Sequence, residues 1–550
     1  MEVLNKMYKK FSKIIVVLIV LTLAFTSLTF AQGQEAKRPF RLTWGWPVHI
    51  DPGVGCDTNS IMCFINLYDG LVYPSEEGEP QPHVAKSWET SEDGLVWTFH
   101  LRDDVKFHDG TELTAEDVKF SMDRMVTRGQ GFGYLFTDRV TKTEVIDDYT
   151  VSFHLKAPFS PFLGALYQFF IINKDLVMEN IEEGKYGDFG DYGEKFLNLN
   201  EAGSGPYKIK EFDYGSHITL EQNTNYWIPM DPNCPDEWKY YATLPTSTIK
   251  VMLQKRELEL CGHDISLEAL KTCDAMEGIE IGVMGQGDVF YGMLNNKKAP
   301  TDDIHIRKAL AWAMDYKTIT EVIFPGFVQA RGPISHDLPG FDPTVFQYHK
   351  DLEKAKEEIK KSKYYGELDK YPISIHWTSE LEDMEKVCLL LMSDMKKIGV
   401  TIDMVRTPWV SIVEQCGSLE TSPNMTIVST APGYPEAGST LECRYKSTTV
   451  RSWEQNEWLL DPDLDKRIDE AVQIQDREER FKAYSELQHY LVDLCPSLFI
   501  MDRVTRHPYQ AYYMDWPLSD GSRGYKVNGY NTAGRFIRIY PEKREELLSK

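Results

Sequence analysis

Positive charge is scarce in this chain. Lys and Arg number 60 against 84 Asp and Glu, a formal net charge of −24 over 550 residues, which excludes nucleic acid or an anionic membrane surface as the natural partner. Reaction signatures are missing too. There is no His-Glu-x-x-His, no Gly-x-Ser-x-Gly and no Gly-Lys-Ser/Thr loop, so the sequence-legible routes to zinc peptidase, serine hydrolase and nucleotide chemistry are closed. The 13 His form no ligand-spaced cluster, and no metal or other cofactor is expected. The nine Cys cannot all pair, and the spacings Cys56/Cys63 and Cys261/Cys273 fit no zinc pattern; most read as small buried residues. Repeats, low-complexity tracts and, beyond the N-terminus, apolar runs of membrane-spanning length are absent.

The N-terminus is informative. Lys6, Lys9, Lys10 and Lys13 precede the uncharged, mostly apolar run Ile14 to Ala31, and Thr29-Phe30-Ala31 leaves small residues at the cleavage positions before Gln32. Residues 1–31 thus read as a secretory signal peptide, and the mature protein as exported to the periplasm or the cell exterior. The run is also long enough for an uncleaved membrane anchor. No Cys follows it closely for a lipid anchor. With 42% hydrophobic and 26% charged residues, the remainder has the composition of a globular protein of two or three domains.

The chain is organised around Pro80 to Met125. Leu95, Trp97, Phe99 and Leu101 alternate with Val96, Thr98, His100 and Arg102, which predicts a half-buried strand. Asp93-Gly94 and Asp109-Gly110 are turn signals around it, with a short Val105/Phe107 strand before the second. Thr114 with Asp117 three residues on predicts a capped helix start, and Val118, Ser121, Met122 and Met125 its sheet-facing side. Asp103, Asp104, His108 and Asp109 have the residue types of a metal or acid/base cluster, but charged turn residues are ordinarily solvated.

The run AKSWETSEDGLVWTFHLRDDVKFHDGTELTAEDVKFSMDRM closely resembles the signature of the family 5 extracellular solute-binding proteins, the peptide- and nickel-type receptors of ABC importers. Four further blocks share that resemblance, which extends from about Phe40 to about Trp516. They are Asp51-Pro52 with Tyr68-Asp69-Gly70-Leu71; GSGPYKIKEFDYGSHITLEQNTNYW with Asn223, Tyr226 and Trp227; Asn296, Pro300, Asp303, Arg307, Ala309 and Leu310; and the helices within DPDLDKRIDEAVQIQDREERFKAYSELQHYLVDLCPSLFIMD.

Local patterns fill in the rest. Phe40 to Trp46 predicts the first strand, Ile61 to Leu67 a helix, Val145 to Leu155 a hairpin, and Met230 to Tyr241 an irregular insert. Thr248 to Leu253 reads as a strand. Asp303 and Arg307, four apart at a helix start, read as an ion pair. Ile373 to Trp377, Leu381 to Ile398 and Val400 to Val405 give strand, helix, strand, an α/β rhythm with a parallel core. Ser497 to Met501 is a strand returning the chain to where it began.

The resemblance implies an α/β, two-lobed clamp hinged between its lobes. Residues 40–80, 201–285 and 497–540 would form a discontinuous first lobe, 81–200 an additional subdomain of it, and 286–496 the second lobe. It implies a monomer that binds a small solute between the lobes, performs no chemistry, and delivers its cargo to a membrane permease. Peptide binders of the family often hold the peptide amine with an Asp in a Trp-x-Ala-Asp-Tyr-type loop. The matching loop, Val428 to Thr440, keeps Ala431, Tyr434 and Pro435-Glu436, but has Pro432 and Gly433 where the Asp would be and Ser429 where the Trp would be. Glu436 either substitutes or faces solvent. Trp44, Trp46, Trp409 and Tyr434 are expected to line the cleft with Glu436, against the alternative of plain core packing. Family frequency favours a peptide or peptide-like solute; the altered loop and the 12 Trp favour an oligosaccharide; a secreted hydrolase and a metal-chelate receptor are the rivals.

Overall fold

The computed structural model describes residues 37–549 apart from 48, 263, 264, 380, 382 and 523. The signal segment lies outside the described residues. One ten-stranded sheet runs through both lobes. From the second-lobe edge its order is Ile402–Thr407, Ile373–Thr378, Met425–Thr430, Glu280–Leu294, Ser497–Tyr509, Leu260–Cys261, Pro39–Thr43, Glu237–Tyr241, His217–Gln222 and Tyr207–Asp213. The first three pair in parallel, as the strand-helix-strand rhythm predicts. The helix between them, Met384–Lys396, buries Met384, Val387, Cys388, Leu391 and Met395 against the sheet.

Glu280–Leu294 and Ser497–Tyr509 are the two long strands by which the chain crosses between lobes. They pair antiparallel, and their register breaks between Gly285 and Val289. An irregularity there interrupts the ladder and is a natural place for the sheet to bend.

The signature stretch builds a separate four-stranded antiparallel sheet, Ala85–Thr90, Val96–Leu101, Thr150–Leu155 and Val140–Asp147, which carries the helix Ala115–Arg128. The Asp117 carboxylate accepts from Thr114 N–H at 2.9 Å, closing the expected cap, and Val118, Ser121, Met122 and Met125 are buried. The Val105/Phe107 strand reduces to one bridge between Lys106 and Glu112. The acidic turn is dispersed: Asp104 pairs with Arg102, Asp109 accepts from Thr111, and His108 lies 2.8 Å from Glu201. No group of three or more His, Cys, Asp or Glu among the described residues could hold a metal ion.

Three local expectations change. Within the stretch read as irregular, Glu237–Tyr241 is a strand inside the large sheet, parallel to Pro39–Thr43; the prolines and Cys234 before it conceal the alternation of Trp238 and Tyr240, both fully buried. Thr246–Gln254 is a helix, not a strand. Its β-branched composition suggests extension, yet Ile249 and Leu253 are buried four apart while Val251 is 49% exposed, a helical period. Asp303 and Arg307 are not paired with each other: Asp303 caps its helix and accepts from Ser362 Oγ, while Arg307 donates to the carbonyls of Thr301, Leu494 and Cys495.

All nine Cys are free; eight are buried and Cys56 is exposed. No helix of the described residues is long and apolar enough to cross a membrane.

Candidate ligand cleft

The loops after Ile373–Thr378 and Leu260–Cys261 wall a space between the lobes with Ser379, Leu381, Ile265 and Ser266, the usual position of a ligand in an open α/β sheet. Beside the crossing strands this space is a cavity of about 500 Å³, within the range of small-ligand sites. Leu267 and Leu270 line it from the first lobe, Phe324, Phe327 and Leu381 from the second, and Arg506 from a crossing strand. The Arg506 guanidinium lies over the Phe327 ring at 5.0 Å.

Farther from the crossing strands the lobes touch through a compact latch. Arg139 of the signature subdomain lies 4.0 Å over the Phe159 ring and forms an ion pair with Glu442 of the second lobe. Tyr434 meets the Phe159 ring nearly perpendicularly at 5.8 Å and donates its hydroxyl to Glu442 at 2.8 Å. Ser160 adds a hydrogen bond to the Ile474 carbonyl at 2.8 Å. The largest apolar core is therefore continuous across the lobe contact.

The five residues expected at the site are distributed as follows. Trp44 is half-buried, its ring 4.7 Å from His507 on a crossing strand and packed so closely on Gly262 that a Cβ there would lie 1.6 Å from it. Trp46 stacks on Phe212 at 6.0 Å within the first lobe. Trp409 opens a second-lobe helix and meets Trp453 edge-on at 5.0 Å. Tyr434 is buried in the latch. Glu436 is held by Arg480 at 2.6 Å. Tyr434 reaches the first-lobe subdomain; Trp44 and Trp46 remain on one lobe, Trp409 and Glu436 on the other, and none of the five lines the 500 Å³ cavity.

Three other residues away from this cavity have shifted acidities that local patterns do not point to. Tyr134 is 42% exposed, yet burial, reinforced by Glu454, Cys443, Cys56 and Glu442, pushes its phenol well above the usual range. Cys56 behaves alike: it is exposed, and burial first, then Glu454 and Asp57, push its thiol up to about 11. Glu454 is itself raised by burial, partly offset by Arg444. The Tyr134 hydroxyl sits against Gly433, where a Cβ would lie 2.4 Å from it. Glycine at this position lets the Tyr134 hydroxyl approach the loop this closely.

Comparisons with known proteins agree with the fold. The probable D,D-dipeptide-binding periplasmic protein of Escherichia coli (strain K12) is 26% identical over 475 residues, 83% of this chain and 87% of that protein. The solved structure of an ABC transporter-associated periplasmic binding protein from Helicobacter pylori with the peptide STSA superposes with a TM-score of 0.77 at 22% identity, covering 91% of this chain and 98% of that one. A Campylobacter jejuni protein with Ni(L-His) also superposes at 0.77, with 20% identity and coverage of 91% and 99%. Both share the two-lobed fold. The sequence profile described as bacterial extracellular solute-binding proteins, family 5 Middle, matches residues 79–451, more than half of the chain, and the chain belongs to that family of solute-binding proteins.

Proposed function

We propose that the protein is the receptor of an ABC importer, exported by its N-terminal signal, that captures a peptide or peptide-like solute between its lobes and presents the closed form to a membrane permease. In this reading residues 81–200 are the subdomain of the first lobe and 286–496 the second lobe. The observation that carries it is a cavity with walls from both lobes, beside the only two strands by which the chain crosses between them in the described residues. A solute there touches both halves of a hinged sheet, so binding favours closure by its differential contacts with the closed form. The relatives named for dipeptide binding support the choice of solute.

Thermal unfolding of residues 32–550 against di- to pentapeptides, oligosaccharides and nickel chelates tests this. A peptide at 100 times its dissociation constant is expected to add about 2.7 kcal/mol. A shift with sugars or chelates alone would replace the peptide. Turnover of any of them by the pure protein would overturn the receptor reading.

A further inference from the structure

We propose that the solute carries one bulky apolar group, a leucine- or phenylalanine-sized side chain of a short peptide, and that Leu267 and Phe327 grip it from opposite lobes; this rests on the peptide reading above.

The cavity beside the crossing strands has an apolar wall in each lobe. Leu267 and Leu270 reach it from the first-lobe helix Leu267–Asp274. Phe324 and Phe327 line it from the second lobe, their ring centroids 5.3 Å apart. Ile265, Leu267, Ile323, Phe324, Phe327 and Leu381 all line the cavity and all are only half-buried. Large apolar side chains gathered on one incompletely covered surface mark a binding groove rather than a core. The area they leave open to water is what an apolar group of the solute would cover.

The second-lobe wall has a specific construction. The chain enters it through a π-helical turn, Ile319–Ile323, in which the Phe324 N–H reaches back five residues to the Ile319 carbonyl at 2.7 Å. Turns of this kind are rare and recur at functional sites. Arg506 of a crossing strand holds the loop that follows, donating to the Pro325 carbonyl and lying 5.0 Å over the Phe327 ring. Gly326, at φ +88°, permits this approach, since a Cβ there would lie 3.1 Å from the guanidinium. The Phe327 ring is thus tied to a strand that joins the lobes.

The charged groups of the same lining are engaged by the protein. Asp383 pairs with Lys386 at 2.5 Å, Arg503 with Asp288 at 3.3 Å, and Arg506 with the Phe327 loop. A charged side chain against this wall would lose water without gaining an uncommitted partner among the described residues. An apolar one gains contact with both lobes, so the same group selects the solute and favours closure.

The test is titration calorimetry of wild type, Phe327→Ala, Phe327→Leu and Leu267→Ala with dipeptides that join alanine to alanine, leucine, phenylalanine, lysine or glutamate, in both orders. In at least one order the leucine and phenylalanine peptides are expected to bind wild type about 10- to 100-fold tighter than dialanine, the fold equivalent of burying one such side chain. The lysine and glutamate peptides should bind no tighter than dialanine. Phe327→Ala and Leu267→Ala should each shrink the preference about 3- to 10-fold, and Phe327→Leu should keep most of it. The ratio is the readout, because a merely structural defect weakens every peptide alike. Should Phe327→Ala not fold, Leu267→Ala and Phe327→Leu decide the point. Equal affinities for the alanine, leucine and phenylalanine peptides would overturn the apolar group and leave the peptide reading standing. A preference untouched by the substitutions to alanine would overturn Leu267 and Phe327 as its site. If wild type binds no peptide, the peptide reading fails; the apolar site then stands only if the neutral dye N-phenyl-1-naphthylamine binds wild type and binds Leu267→Ala about 3-fold more weakly, and is overturned otherwise.

Discussion

Asp69 and Glu454 are both carboxylates removed from bulk water, and they are treated oppositely. Asp69 is 2% exposed and gathers Tyr226 Oη at 2.8 Å, Trp227 Nε1 at 3.1 Å, Ser204 Oγ at 2.9 Å and His83 Nε2 at 2.8 Å. All of them belong to the first lobe, so the network is complete whatever the second lobe does. The Glu454 side chain, half-buried, has no hydrogen bond or ion pair among the described residues. Fully partnered buried charge fixes one arrangement of a scaffold, whereas unpartnered charge out of bulk water costs stability. Among the residues that make the sequence recognisable, Asp69, Tyr226 and Trp227 do the first job. Asp51 does the same, 2.8 Å from Arg124, with both side chains essentially inaccessible.

The contrast can be broken at several points. Asp69→Leu strands four donors in the core and is expected to cost roughly 3–5 kcal/mol in urea unfolding, with solute affinity unchanged in the folded fraction; a loss below about 1 kcal/mol would mean that the network is not what ties this lobe together.

Acid should act on the same network. Burial, outweighing the hydrogen bond to Asp69, lowers the His83 pKa. Below pH ~6.5 the unfolded chain therefore takes up a proton that the folded chain refuses, and stability falls as pH drops from there to the folded pKa, by at most about 1.4 kcal/mol per pH unit. Burial alone would raise Asp69, but the hydrogen bonds from His83, Tyr226 and Trp227 prevail and hold it below the usual carboxylate range. Its contribution is present above the unfolded carboxylate pKa and is lost as pH falls through the folded one. Urea midpoints of wild type and His83→Asn between pH 7 and 5 should diverge in slope.

At the lobe contact the effect should move from stability to closure. Arg139→Ala opens the latch, so the unliganded protein should show a larger radius of gyration in X-ray scattering and solute affinity about 3- to 10-fold weaker, with unfolding changed by about 1 kcal/mol. An unchanged radius and affinity would show that the latch does not bias the hinge. Smallest is Cys56→Ser, expected to be silent in stability. In wild type, the raised thiol pKa should make Cys56 slow toward disulfide reagents at pH 8, and slower with solute bound, as it is the nucleophilic thiolate that is scarce.

Much of the fold was legible because the signals are local. The cap at Thr114 and Asp117, the alternation in Val96–Leu101 and the parallel strands of the second lobe follow from period and turn chemistry within a few residues. Where two local signals conflict, as between β-branched composition and helical burial in Thr246–Gln254, packing decided. The aromatic residues proposed from sequence mostly touch other aromatic residues, because a flat apolar ring satisfies a core as well as a cleft.

By itself the sequence determined the family, the two-lobed α/β class and the interior of each lobe. Only the tertiary structure decided which carboxylates meet a cation: Arg480 reaches Glu436 across 44 residues and Arg139 reaches Glu442 across 303, while the Glu454 carboxylate has no ion pair among the described residues. Pairing at that sequence separation is set by how the lobes close, and no local pattern encodes it.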